Sequence, residues 1–338
     1  MALIAGFAVA AWANPASASG FLYGAGTDGN IYEINTHTRT SKFLTTTGFT
    51  GLGPYGTGAA NALANDRVRN NLFFITPDNN LRVLQQGSST PTLVSGATPT
   101  NLGIKGQLQP QNGAFYNNEF WFFSRLEPGT KAHINPVTLN RVSFSYEDST
   151  PSFLRRISYN LSAVPNNTTG HKGILKNNFG DISIVTGGHK DGYLFATTNN
   201  DYNNNGRFFR LKLANLSEDP IKGAAALNHS YKQINGNLGA GALQTAFDSS
   251  YSTLFANAST TGNWLTVNIH TGVAKAMAVP LTGKFPGAFP GVVDLSDSIT
   301  NVPIPGPLPL LGAAAAFGWS RKMRKRINTT FPSTNSVG

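Results

Sequence analysis

Gly291-Val292-Val293-Asp294 is the stretch on which the fold turns. It reads as a short strand of small and apolar residues ending in an acid, with no partner run after it. Related strands occur earlier: Ala62-Leu63-Ala64-Asn65-Asp66, Ala114-Phe115-Tyr116-Asn117-Asn118, Ile182-Ser183-Ile184-Val185 and Thr245-Ala246-Phe247-Asp248. Each of these is followed by an apolar run, a polar stretch and a second alternating run. Leu72-Phe73-Phe74-Ile75 leads through Asp78-Asn79-Asn80 to Leu81-Arg82-Val83-Leu84, and Phe120-Trp121-Phe122-Phe123 leads to Lys131-Ala132-His133-Ile134. Tyr193-Leu194-Phe195 leads to Phe208-Phe209-Arg210-Leu211, and Leu254-Phe255 to Trp264-Leu265-Thr266-Val267. Such runs joined by Asn- and Gly-rich tips are hairpin signals. The first unit, Phe21-Leu22-Tyr23 through Asp28-Gly29-Asn30 to Ile31-Tyr32-Glu33-Ile34, lacks the strand in front. The orphan strand at the far end supplies what this first unit is missing.

A further marker recurs at the ends of units: Ile34-Asn35-Thr36-His37-Thr38, Ile134-Asn135-Pro136-Val137-Thr138 and Val267-Asn268-Ile269-His270-Thr271. The Asn and Thr side chains are suited to hydrogen-bond a local turn. At the level of repeats the chain resembles the β-propeller class, whose ring closes when the last strand completes the first blade. The expected fold is all-β, with five four-stranded blades over residues 19–300 closed by N- and C-terminal strands. Six or seven blades is the alternative count, because Arg141 to Phe179 is long enough to hold further strands. A β-sandwich or solenoid is the alternative architecture.

The composition fits this reading. Of 338 residues, 12% are charged and 36 are Gly, which suits short strands joined by tight turns. The net charge of +10 is unevenly placed: Arg321, Lys322, Arg324, Lys325 and Arg326 form one run, and the remainder is thinly spread. A basic run beside an apolar stretch reads as a membrane-surface or topology signal, so nucleic acid is not an expected partner. With no Cys, disulfides, thiolate metal sites and a Cys nucleophile are excluded.

Both ends read as addresses. Residues 1–12 are almost wholly apolar, and Ala16-Ser17-Ala18 has the small-residue pattern of a signal-peptidase site, so residues 1–18 are expected to be a signal peptide. A buried N-terminal strand is the alternative. At the other end a proline-rich break at Pro303, Pro305, Pro307 and Pro309 precedes an apolar stretch from Leu308 to Trp319, then the cations. Those 12 residues are short of the roughly 20 that a straight helix needs to cross a bilayer.

Pro305-Gly306-Pro307-Leu308-Pro309-Leu310-Leu311-Gly312, with Phe317-Gly318 and Ser320-Arg321-Lys322, resembles the PEP-CTERM sorting signal in its cyanobacterial form. The resemblance covers residues 301–327 and assigns sorting roles to Pro303, Pro305, Arg321, Lys322, Arg324, Lys325 and Arg326. It implies processing by an exosortase-type membrane protease. It also implies membrane association through this segment, and a place in the cell envelope, at the cell surface or in the extracellular matrix. Ile304 stands where the signal has its Glu, and a polar tail, 328–338, follows the cations.

The chemistry is less explicit. Asp201-Tyr202-Asn203-Asn204-Asn205-Gly206 matches the opening of a calcium loop, making Asp201, Asn203 and Asn205 candidate ligands. Lys212 stands where the bidentate Glu belongs, so calcium would be held weakly, and an Asn-rich hairpin tip is the plainer reading. His171 and His189 flank Asp181 and Asp191, a second candidate acid/base or metal grouping. Asp66, Asp181, Asp248 and Asp294 lie near the ends of inner strands, where they either converge on a central channel or tie blades together through backbone hydrogen bonds. The chain contains no nucleophile-elbow, zincin, phosphate-loop or dinucleotide motif. The expected function is non-catalytic binding of a polysaccharide or an envelope protein. The competing classes are an extracellular lyase or hydrolase and a purely structural surface protein.

Overall fold

In the computed structural model the described residues are 20–36, 40–49, 60–105, 109–110, 112–124, 137–164, 179–198, 207–235, 238, 243–248, 251, 253–258, 263–277 and 292–297. Residues 301–338 form a separate unit outside them. The sorting segment, the signal region and the calcium-loop candidates Asp201, Asn203 and Asn205 therefore all lie outside the described residues.

The strands make five antiparallel four-stranded sheets, the five-bladed propeller expected from the repeats. Blade 1 contains β1 (Phe21–Gly26), β2 (Asn30–Asn35) and β3 (Thr40–Thr46). Blade 2 runs through β4 (Asn61–Asp66), β5 (Asn71–Ile75), β6 (Leu81–Leu84) and β7 (Thr92–Leu93). Blade 3 has β8 (Ala114–Tyr116), β9 (Glu119–Phe123), β10 (Val137–Glu147) and β11 (Thr150–Leu161). Blade 4 has β12 (Phe179–Ile184), β13 (Tyr193–Thr198), β14 (Arg207–Lys212), a helix α1 (Pro220–Ser230) and β15 (Lys232–Asn235). Blade 5 has β16 (Leu243–Phe247), β17 (Leu254–Ala258), β18 (Trp264–Val267) and β19 (Ala274–Ala276). The final strand, β20 (Val292–Asp297), pairs antiparallel with β1, with Leu22 opposite Asp297 and Gly24 opposite Leu295. The orphan run at Gly291 thus supplies the inner strand of blade 1.

The unbroken apolar runs have a direct cause. A strand in the inner part of a blade is covered on both sides, so neither of its alternating faces meets water, whereas the outer strands β3, β7, β15 and β19 are largely exposed. Phe120 and Phe122 point into the seam between blades 2 and 3, with Phe73, Ile75 and Phe144. Trp121 and Phe123 point the other way, into the seam between blades 3 and 4, with Leu139, Ile184 and Phe209. Three more apolar clusters fill the remaining seams: blade 4 on 5 around Phe195, Phe208 and Phe247; blade 5 on 1 around Leu22, Phe255 and Trp264; blade 1 on 2 around Tyr23, Ile31 and Phe74.

Two features differ from the sequence reading. The third strand of blade 3 begins at Val137, whereas Lys131-Ala132-His133-Ile134, its expected position, lies outside the described residues. The long stretch after Arg141 holds no extra blade among the described residues. It extends β10 and β11 to 11 and 12 residues, paired from Val137 opposite Leu161 to Glu147 opposite Thr150. The hairpin outgrows its blade and clasps both neighbours. At one end Phe153 N donates to Ser95 O of blade 2 (2.8 Å), and at the other Tyr159 OH donates to Ser217 O of blade 4 (3.1 Å). Helix α1 is the second difference. Asp219 caps it, accepting from Ile221 N (2.8 Å) and Lys222 N (3.2 Å), and Pro220 sits where a missing N–H is harmless. Gly223, Ala224 and Leu227 are its buried side, against β11 and β14.

Candidate functional site

Among the described residues, polar groups come together at the hub, where the inner strands β20, β4, β8, β12 and β16 meet, and in a cleft at the seam of blades 3 and 4.

At the hub the inner strands approach closely enough that side chains are excluded. A Cβ on Gly113 would lie 2.3 Å from Ala62 O, and one on Gly180 would lie 2.4 Å from Leu243 O. Asp181 on β12 and Asp294 on β20 are fully buried here, and the two strands touch although their blades are not neighbours. Asp181 accepts from Ile182 N (2.7 Å) in its own strand and from Thr245 N (3.0 Å) of blade 5. Asp294 accepts from Leu295 N (2.9 Å) and from Leu63 N (2.7 Å) of blade 2. The two carboxyls are near enough for the charge of Asp294 to act on Asp181, and two close carboxylates repel, which favours a proton on one of them. Burial, and then the charge of Asp294, push the Asp181 carboxyl well above the usual range. Burial likewise raises Asp294, against the pull of the backbone N–H groups it accepts from. Two of the four inner-strand acids thus do both things open to them, converging on the centre and tying blades together.

The other two acids close turns. Asp66 Oδ1 accepts from Val68 N (3.0 Å), and Asp248 Oδ1 accepts from Thr253 N (3.2 Å). At one mouth of the hub Arg67 of blade 2 lies 3.6 Å from Asp297 of blade 1 and 4.1 Å above the Tyr251 ring of blade 5. The Tyr251 hydroxyl accepts from Thr186 of blade 4.

The cleft has a volume of about 320 Å³. It is lined by Tyr116, Asn117, Glu119, Trp121 and Arg141 of blade 3, and by Asp191 and the segment Leu213 to Leu216 of blade 4. Asn117 and Asn118 form the β8–β9 turn at φ 52° and 63°, the left-handed region that Asn tolerates. That turn leaves Asn117 exposed and Tyr116 half-buried at the rim. On the floor Glu119 is fixed through both oxygens, taking Arg141 Nε at 2.6 Å and Ser143 Oγ at 2.8 Å. Burial works against the Arg141 charge, but its bonds to Glu119 and Tyr159 prevail and hold its pKa above the ordinary value. Across the seam Tyr116 OH donates to Asp191 Oδ2 (3.0 Å), whose other oxygen accepts from Gly187 N (2.6 Å). Burial and the Asp191 bond push the Tyr116 hydroxyl up to about 12, so it remains a donor at any ordinary pH.

The His–Asp grouping read from blade 4 is not assembled by the fold. Asp181 is at the hub, Asp191 faces Tyr116, His189 is exposed, and His171 lies outside the described residues. Among the described residues no cluster of three His, Asp or Glu could hold a metal ion, and no helix is long and apolar enough to cross a membrane. Sequence reasoning missed the cleft because its walls come from two blades. The only signal was local: the Asn-Asn turn at Asn117 and the Tyr–x–x–Glu–x–Trp spacing over Tyr116 to Trp121.

No family model matches the chain, and no curated protein matches it. Among solved structures it is similar to one described as the crystal structure of a nidogen/laminin complex, at 13% identity and a TM-score of 0.43, over 77% of this chain and 78% of that one. At that identity and score the likeness carries no argument about function.

Proposed function

We propose that this chain is a non-catalytic binding protein, exported and held in the cell envelope or extracellular matrix, which takes a polysaccharide in the cleft between blades 3 and 4. The single observation that carries the reading is the composition of that cleft. Side-chain amides at Asn117 and Asn215, a tyrosine hydroxyl, a guanidinium and two carboxylates surround an opening with apolar wall at Leu213 and Leu216. Saccharides are bound by such mixtures, with planar polar groups reading hydroxyls and ring or aliphatic carbon covering the sugar's C–H face. Both oxygens of Glu119 and of Asp191 are already engaged, which favours groups that hold a ligand over groups that exchange protons with it. Export, and sorting by an exosortase-type protease, are supported by the residues of the two ends: Ala16-Ser17-Ala18, the prolines from Pro303, and the cations from Arg321. Calcium remains part of this proposal only through Asp201, Asn203 and Asn205.

The test is co-sedimentation of the full chain with the producing cell's extracellular polysaccharide, with and without a calcium chelator. Saturable binding that weakens about tenfold in Asn117→Ala/Asn215→Ala supports the cleft. Binding that survives that variant places the ligand elsewhere, and no binding at all sinks the glycan reading. Loss on chelation assigns Asp201, Asn203 and Asn205 a role.

A further inference from the structure

The loop that carries Asp191 toward the cleft sends its neighbour the opposite way. Gly188–Lys190 is a single 3-10 turn, flanked by Gly187 and Gly192 at φ 86° and 72°. It is anchored by Gly192 N to Val185 O (2.9 Å) and Leu213 N to Gly192 O (2.7 Å). From its end, Lys190 reaches over the seam between blades 4 and 5, where its Nζ lies 3.0 Å from His270 Nε2. His270 sits on a turn that Asn268 braces, accepting from His270 N (2.9 Å) and Thr271 N (3.1 Å). That turn is tied to blade 4 by Asn235 Nδ2, which donates to Gly272 O (3.0 Å). Arg210 of β14 lies near enough for its charge to act on Lys190, with its guanidinium 4.8 Å from the centre of the Tyr193 ring.

Three basic side chains from two blades are therefore gathered on one rim with no carboxylate to answer them among the described residues. None of the ion pairs includes Lys190, Arg210 or His270. Asp191, next in the chain to Lys190, is already taken by Tyr116 and Gly187. An ammonium has three N–H groups, so one spent on the imidazole nitrogen still leaves two for a ligand. Burial, and then the charge of Arg210, lower the Lys190 pKa, as expected for cations assembled without an anion.

We propose that Lys190, Arg210 and His270 form an oxyanion-binding site at the seam of blades 4 and 5, which takes the carboxylate or sulfate groups of an acidic polysaccharide. The site itself stands apart from the cleft; only the identity of the polymer that carries the anion rests on the glycan reading above. Planar guanidinium and tetrahedral ammonium donors suit such groups, and charge-assisted hydrogen bonds are the strong ones. Because one loop supplies both Asp191 and Lys190, a polymer could lie across blade 4 with a neutral sugar in the cleft and an acidic one at the seam.

The experiment uses the full chain at low salt with four probes: polygalacturonate, dextran sulfate, neutral dextran and inorganic sulfate. Binding is measured by calorimetry for wild type, for Lys190→Gln/His270→Gln and for Asn117→Ala/Asn215→Ala. The expected result is polyanion binding that weakens about tenfold or more in the Lys190/His270 variant, is reduced by added salt, and exceeds binding to neutral dextran. Inorganic sulfate bound with the same dependence on Lys190 and His270, without polymer binding, keeps the oxyanion site and overturns the polysaccharide as its source. Polyanion binding indifferent to the Lys190/His270 substitutions, or none in the wild type, overturns the site. Loss in the Lys190/His270 variant with no effect of the Asn117/Asn215 variant leaves this site standing and removes the cleft. All four substituted positions lie outside the apolar clusters, and circular dichroism of each variant checks that the fold is kept.

Discussion

The hub and the cleft each hold two carboxylates, and they use them in opposite ways. At the hub Asp181 and Asp294 are fully buried and answer backbone N–H groups of blades 5 and 2. In the cleft Glu119 and Asp191 lie at an opening and are answered mainly by side chains, Arg141, Ser143 and Tyr116, with Gly187 N on the second oxygen of Asp191. Backbone partners cannot rotate away, so the hub acids are committed to the ring. Side-chain partners can be traded for a ligand's hydroxyls, so the cleft acids are committed to whatever enters. The same residue type is structural or ligand-facing according to what it accepts from.

Four measurements would break or sharpen that contrast. Asp294→Ala strands the N–H groups of Leu63 and Leu295 in a dry site, and should cost about 2–5 kcal/mol in denaturant unfolding. A loss below about 1 kcal/mol would show that the hub acids do not hold the ring. The pH dependence comes next. Both hub carboxyls have folded pKa values above their unfolded ones, Asp294 at about 8, so the folded state binds the extra proton. Their contribution is therefore most favourable at or below the unfolded value, about 4, and is lost as pH rises toward 8. Wild type should lose more melting temperature between pH 5 and pH 8 than Asp181→Asn; equal slopes would refute the raised Asp181 carboxyl. Gly113→Ala should cost about 1–3 kcal/mol, because the new methyl meets backbone at Ala62 and not a side chain that can move. Smallest is Tyr116→Phe, which removes one rim hydrogen bond and should cost about 0.5–1.5 kcal/mol in stability while weakening glycan binding. A hub-sized loss there would erase the distinction.

The ring was legible in the sequence because its signals are local and repeated. The central strands of the blades announce themselves as apolar runs, and the unpaired Gly291-Val292-Val293-Asp294 points to closure. Blade 3 was harder: Ser143 to Arg155 alternates less cleanly, since the hairpin leaves its own sheet and its outer residues face solvent or loops. Helix α1 had its signal in Asp219-Pro220 and the run Ala224 to Ala226, which a strand-seeking reading passed over. The sites were not legible for a different reason. Tyr116 and Asp191 are 75 residues apart, and Lys190 and His270 are 80 apart. No pattern along the chain encodes which loops of adjacent blades will share a seam, and only the order of blades around the ring brings them together.

The pairing of β1 with β20 also sets a schedule. Leu22 meets Asp297 and Ala25 meets Asp294, so β1 waits for β20, about 270 residues later. A ribosome adding about 5–20 residues per second leaves blade 1 incomplete until Asp297 has been made. Until β20 arrives, β1 shows an unpaired edge, the surface most prone to wrong partners. Asp294 arrives with that strand, and with it the carboxyl that accepts Leu63 N of blade 2, so a chain cut short before residue 294 would lose the closing strand and that tie together.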